Sequence, residues 1–161
     1  MASISSAHRR PTDADGRDFE GGLALSVTST PESAHRFRQY FGEWLDATLD
    51  LDAERRSDIV LAVYEAVANA AEHAYAADAR SPGTGPSGPR SGIIEVRART
   101  TREESLEVTV TDTGRWAPDA SSSPYRGRGL ALISALTDAS ELTSGPEGTS
   151  VRLCWHQRLR V

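Results

Sequence analysis

Hydrophobic residues recur along the chain with two different periods, and each change of period separates a predicted helix from a predicted strand. Alternate positions are apolar in several short segments, as expected for half-buried strands. Elsewhere apolar residues recur at spacings of three and four, as expected for amphipathic helices. The predicted elements are, in order, a strand at 22–27, helices at 31–49 and 52–77, strands at 94–98 and 106–110, a short helix at 130–136, and strands at 139–143 and 149–155.

Cap and turn residues set the limits of a single domain. Thr30, Pro31 and Glu32 supply an N-cap, a first-turn proline and a first-turn acid, so the first helix begins there. Residues 1–20 are polar and aperiodic, and residues 79–91 are rich in Gly, Pro and Ser. We expect the first segment to be a flexible leader and the second a flexible insertion within a domain that spans 21–157.

The order of the elements, β-α-α-β-β-α-β-β, predicts the fold class. Strands joined by short turns pair in antiparallel fashion, and the helices must bury their apolar faces against the sheet. We therefore expect an α/β (α+β) two-layer sandwich, with a mixed, mostly antiparallel sheet and the helices on one face.

Composition restricts the class of partner and the compartment. The formal net charge is −5, so no basic stripe can displace the counterions of a nucleic acid, and we expect no nucleic-acid partner. Cys154 is the single cysteine and no apolar run reaches membrane-spanning length, so we expect a cytoplasmic protein without a membrane partner. All 18 basic residues are arginine, and Asn69 is the only asparagine.

The predicted second helix carries a polar stripe. At 100° per residue, Glu65, Asn69 and Glu72 lie opposite Val63 and Val67. Such a stripe is usually a solvated helix face. It also has a chemical interpretation, because an amide oxygen is a suitable ligand for Mg²⁺ and a carboxylate can accept the proton of a hydroxyl group. Glu65 and Asn69 could then serve one metal ion and one hydroxyl together.

Two further features lie at strand ends. Asp112 ends an apolar strand two residues before Gly114. A carboxylate there could accept a hydrogen bond from an exocyclic amine, and the glycine would let a flat ring approach the backbone, although both residues are also common in ordinary turns. Thr149 opens the last strand, where its hydroxyl could reach the same ring.

A glycine-containing segment opens the predicted third helix. Gly127 and Gly129 alternate with Arg126 and Arg128 before Leu130. Glycines at a helix N-terminus expose backbone N–H groups and the positive end of the helix dipole to a phosphate, and the arginines add charge. The same residues could instead form a flexible hinge.

The order of these features resembles the four nucleotide-binding boxes of the GHKL ATPase superfamily: an ExxxN helix, a strand ending in DxG, a GxG before a helix and a GT at the last strand. The local sequence is most similar to bacterial, especially actinobacterial, anti-sigma-factor serine kinases. The segments that carry this similarity are AVYEAVANAAEHAY, DTGRW and GRGLALISAL. The resemblance covers about residues 22–156 and implies the histidine-kinase-like ATPase (Bergerat) fold.

The resemblance implies a role for each matching residue. Asn69 would bind the Mg²⁺ that accompanies ATP, and Glu65 would be the base for an attacking hydroxyl. Asp112 would bind the adenine amino group, with Thr149 assisting through water and Gly114 packing beside the base. The phosphates would be held at the end of an ATP lid over residues 116–128, by Arg126, Gly127, Arg128, Gly129 and Leu130.

The resemblance also implies partners and an activity. A sigma factor would be bound, an anti-anti-sigma protein of the STAS type would be phosphorylated on serine or threonine, and the chain would form a homodimer. The alternative is a non-catalytic ATP-binding module that acts only by nucleotide-dependent partner binding. Glu65 and Asn69 together favour the kinase, because a protein that only binds ATP needs no base.

Overall fold

Five strands and three helices make up the described part of the chain. The computed structural model describes residues 21–78, 92–100, 105–112, 126–145 and 148–156. The elements are β1 (Gly21–Thr28), α1 (Pro31–Thr48), α2 (Ala53–Asp78), β2 (Ile93–Thr100), β3 (Ser105–Asp112), α3 (Arg126–Leu136), β4 (Ala139–Gly145) and β5 (Gly148–His156).

The strands form one sheet in which every described pair is antiparallel. The order across the sheet is β1-β2-β3-β5-β4. α3 connects β3 to β4, which lies at the sheet edge. β5 then pairs with both strands and lies between β3 and β4. The predicted two-layer α/β fold, with an antiparallel sheet and the helices packed on it, is confirmed.

The core lies between the sheet and the helix layer. Alternate strand residues point towards the helices, and the buried pattern of β2 and β3 repeats every second residue. The fully buried side chains include Val96, Val108 and Leu153 from the sheet, and Phe41, Leu45, Ile59 and Val63 from α1 and α2. This packing fixes α2 across the middle of the sheet.

The predicted cap of the first helix is present, and the second helix is capped as well. The Thr30 hydroxyl accepts a hydrogen bond from the Ser33 backbone N–H at 3.2 Å, and the Asp52 carboxylate accepts one from the Arg55 N–H at 2.7 Å. Arg56 then donates from Nη2 to Asp46 Oδ2 at 2.8 Å and links α2 back to α1. This hydrogen bond holds the pKa of the Asp46 carboxyl below its usual value.

α2 is buried over a wider arc than its periodicity predicts. Ala62 lies seven residues before Asn69, and thus on the same side of the helix, yet it is fully buried, and Ala66 is only 1% exposed. The reason is that α2 packs against α1, α3 and the sheet, so three of its sides are covered. Glu65 and Asn69 are consequently half-buried.

α3 begins at Arg126, one turn before its predicted start at Leu130. Its C-terminus is held against β5: Trp155 Nε1 donates to the Leu136 carbonyl at 2.8 Å, and the Asp138 N–H donates to the Cys154 carbonyl at 3.1 Å. Trp155 itself is fully buried. The end of α3 is therefore anchored in the core, while its first turn lies over α2.

Several predictions made from the sequence lie outside the described residues. These are the flexible leader at 1–20, the flexible insertion at 79–91, and the part of the expected ATP lid from 116 to 125. The last three residues of that expected lid, 126–128, form the first turn of α3. None of the helices within the described ranges is long and apolar enough to cross a membrane.

Candidate functional site

Asp112 and Thr149 face each other at one end of the sheet. They are Cα partners in the antiparallel register of β3 and β5, and Ser144 of β4 continues the same row beside Thr149. Asp112 is 5% exposed and Thr149 is 7% exposed. Gly148, just before Thr149, has φ 137°, a value that side-chain-bearing residues rarely adopt. A carboxylate and a hydroxyl thus lie together in a nearly dry position.

Asn69 contacts the first turn of α3. A Cβ atom added at Gly129 would lie 3.0 Å from Asn69 Nδ2 and 3.1 Å from Asn69 Oδ1. Ordinary contacts between such atoms are about 3.5 Å or longer. Glycine at this position therefore lets the α3 backbone and the Asn69 amide group approach more closely than any other residue would allow.

The first turn of α3 has the electrostatic character of an anion site. The first N–H groups of a helix have no partner within the helix, and the dipole places a partial positive charge there. The first turn of α3 contains no acidic residue that would neutralise this charge. Because Gly129 sits against Asn69, the positive helix end and the amide group face the same space.

A cleft connects these two places. Its polar lining is Asn69, Glu72, Asp112 and Thr149, and its apolar lining is Ala66, Ala70, Val110, Leu130, Leu142 and Val151. Ligand sites are commonly mainly apolar with a few fixed polar groups. The cleft has Asp112 at one end and Asn69 with the α3 N-terminus at the other.

Glu65 is placed differently from the other predicted residues. It lies one helical turn before Asn69 on α2, half-buried, but it is not among the residues that line the cleft. One turn of helix separates side chains by about 5–6 Å at Cβ. Glu65 is therefore a neighbour of the Asn69 position, beside the cleft described here.

The remaining predicted residues are only partly covered by the structure. Gly114 lies outside the described residues. The backbone of Arg126, Gly127 and Arg128 forms the first turn of α3, although the helix was predicted to begin only at Leu130. Gly129 is buried in that turn, and Leu130 lines the cleft with 40% of its surface exposed.

Six lining residues received no role from the sequence, among them Glu72, Leu142 and Val151. Glu72 belongs to the polar stripe on α2, but the family pattern gave it no function. Leu142 and Val151 are Cα partners in the β4–β5 hairpin, and this pairing places both at the cleft. Both strands were predicted from the sequence, whereas their position next to α2 and α3 depends on the strand order.

Comparison with known proteins identifies the family to which this chain belongs. The chain matches the histidine kinase-like ATPase domain over residues 27–155, a span that contains every residue of the cleft. The chain belongs to the histidine kinase-like ATPase family. Domains of this GHKL-type family bind ATP, typically with Mg²⁺.

The relatives of this ATPase domain include two kinds of protein. The crystal structure of the RsbU and RsbW domains of a Mycobacterium tuberculosis protein matches with a TM-score of 0.63 and 26% identity, over 87% of this chain and 34% of that one. The blue-light-activated histidine kinase 2 of Erythrobacter litoralis is 30% identical over 111 residues, 66% of this chain and 29% of that protein. A histidine kinase domain from Erythrobacter litoralis shares the fold, with a TM-score of 0.52 and 24% identity, over 78% of this chain and 59% of that one.

Proposed function

We propose that this ATPase domain is an ATP-dependent anti-sigma factor and protein serine/threonine kinase. It would bind a sigma factor, and it would transfer the γ-phosphoryl group of Mg-ATP to a STAS-type anti-anti-sigma protein. We expect the domain to act as a homodimer in the cytoplasm. The observation that carries the proposal is the cleft in which Asn69 and the α3 N-terminus face Asp112 and Thr149. Similarity to the RsbW domain supports the choice of partners.

The residues present fit Mg-ATP. The Asn69 amide offers an oxygen of the kind that Mg²⁺ prefers, and Gly129 leaves the space beside this amide free of a side chain. A bound Mg²⁺ would neutralise charge on the phosphates during transfer. The buried Asp112 carboxylate can accept a hydrogen bond from the adenine amino group, which guanine lacks at the equivalent position.

The proposed reaction needs few protein groups. The substrate hydroxyl oxygen bonds to the γ-phosphorus, the bond from that phosphorus to the β–γ bridging oxygen breaks, and ADP leaves with the electron pair. Glu65 accepts the hydroxyl proton, since it lies one turn from Asn69. The first N–H groups of α3, at Gly127 and Gly129, hold the phosphates through their partial positive charge.

A second candidate function is favoured by the position of Glu65. Because Glu65 does not line the described cleft, the domain could bind ATP and capture partners without transferring phosphate. The two functions differ in what happens to the acceptor protein. A phosphorylated serine or threonine on the partner supports the kinase, and nucleotide-dependent capture without phosphorylation supports the binding module.

The deciding experiment compares Glu65→Ala with the unaltered chain. We expect Glu65→Ala to bind Mg-ATP with nearly unchanged affinity, because a general base makes little contact with the bound ground state. Single-turnover transfer to a STAS-type protein should fall by about two to four orders of magnitude, the usual scale for loss of a general base. Capture of the sigma factor should continue. Transfer at the unaltered rate would remove the catalytic role of Glu65.

A further inference from the structure

A carboxylate without an assigned role lies in the nucleotide cleft. Glu72 is exposed, follows Asn69 by three residues on α2, and lines the same cleft. Residues three apart on a helix are neighbours, with Cβ atoms about 5–6 Å apart. Within the described part of the chain, no arginine or histidine forms an ion pair with Glu72.

The charge of Glu72 requires an explanation if ATP occupies this cleft. A carboxylate next to a polyphosphate repels it, and two like charges about 4 Å apart cost about 1 kcal/mol even in water. The same carboxylate becomes favourable when a divalent cation lies between it and the phosphates. Mg²⁺ in proteins is usually held by one or two carboxylates together with the phosphates of the substrate.

The other carboxylates near the cleft are less suited to binding a divalent cation beside the phosphates. Asp112 is almost fully buried at the sheet end, where it lies opposite Thr149. Glu65 lies on the far side of Asn69 and does not line the cleft. Glu72 and Asn69 present a carboxylate oxygen and an amide oxygen from neighbouring positions, and Mg²⁺ at about 2.1 Å from each could bridge that gap.

We propose that Glu72 and Asn69 together form the protein's half of the divalent-cation site, with the Glu72 carboxylate facing the metal that ATP brings. This inference rests on the proposed binding of Mg-ATP in the cleft. It assigns the metal two protein ligands, where the family pattern assigns Asn69 alone. It also assigns Glu72 opposite effects on two forms of the nucleotide: it attracts Mg-ATP and repels metal-free ATP.

The test measures ATP affinity by calorimetry in excess Mg²⁺ and again in EDTA, for the unaltered chain and for Glu72→Gln. We expect Glu72→Gln to weaken binding about five- to twentyfold in Mg²⁺ and to strengthen it severalfold in EDTA. The Mg²⁺ concentration that gives half-maximal ATP binding should rise accordingly. Glu72→Asp, which keeps the carboxylate, should recover most of the affinity in Mg²⁺.

A matched control removes one negative charge from the same helix away from the cleft. Glu54, exposed in the first turn of α2, serves this purpose as Glu54→Gln, which should change neither measurement. Affinity lost in both Mg²⁺ and EDTA would show that Glu72 contacts the nucleotide itself, and would overturn the metal assignment. An unchanged Mg²⁺ dependence in Glu72→Gln would also overturn it. A chain that binds no ATP under either condition would overturn the proposed function as well.

Discussion

Replacement of Gly129 by alanine tests the contact on which the proposed phosphate end of the cleft depends. The new Cβ would lie 3.0 Å from Asn69 Nδ2 and 3.1 Å from Asn69 Oδ1. An ordinary separation of about 3.5 Å requires one of the two groups to retreat by about half an ångström. The Asn69 side chain is the flexible partner, so we expect the amide group to move.

The effects of Gly129→Ala on stability and on ligand affinity should differ in size. Alanine gains about 0.5–1 kcal/mol over glycine in a helix, and an off-rotamer side chain costs about 0.5–1.5 kcal/mol. These contributions nearly cancel, so Tm should change by about 4 °C or less. The displaced amide loses a contact of about 1.5 kcal/mol with the Mg-ATP complex, which corresponds to about tenfold weaker binding.

The assay combines a thermal melt with titration of Mg-ATP, and Gly145→Ala is the matched control. A Cβ at Gly145 meets no atom of the described residues within 4 Å, so that variant should keep both its Tm and its affinity. If Gly129→Ala binds Mg-ATP as tightly as the unaltered chain, Asn69 does not contact the Mg-ATP complex in the way proposed. A collapse of Tm would show instead that α3 itself cannot tolerate the added atom.

Two further predictions concern the opposite end of the cleft and the anchor of α3. Asp112→Ala should weaken ATP binding about ten- to a hundredfold by removing a charge-assisted hydrogen bond. The same variant should lose little affinity for GTP, which we expect to bind the unaltered chain only weakly. Equal ATP and GTP affinities in the unaltered chain would contradict this role of Asp112. Trp155→Phe removes the donor to the Leu136 carbonyl and should lower the free energy of unfolding, measured by denaturant titration, by about 1–3 kcal/mol. An unchanged denaturation midpoint would show that this hydrogen bond contributes nothing to stability.

Local sequence signals predicted much of the fold because the physics behind them is local. Thr30 and Asp52 cap their helices as their residue types and spacing indicate. Alternation identified β1, β2 and β3, since a half-buried strand must alternate. The antiparallel pairing of β2 with β3 and of β4 with β5 followed from their short connections. These features depend on residues within a few positions of each other, so a single sequence contains them.

Other features depend on residues far apart and could not be read in the same way. Gly127 and Gly129 disfavour a helix by propensity, so α3 was predicted to start after them. The close contact of Gly129 with Asn69 accompanies the earlier start, and it joins positions 60 residues apart in sequence. Asp112 lies opposite Thr149 because β5 returns beside β3, an arrangement that the strand order alone determines.

The two ends of the cleft are held by different kinds of structure, and this has a consequence for how the domain can respond to nucleotide. Asp112 and Thr149 are fixed by the backbone ladder of β3 and β5. Gly129 is fixed by helix packing, and α3 is anchored to β5 at its C-terminus, through Trp155. A small rotation of α3 about that anchor would change the space at Asn69 while leaving the proposed adenine end intact. Base recognition and phosphate recognition should therefore be separable by mutation, with Asp112 variants losing ATP and ADP equally and Gly129 variants losing ATP more than ADP.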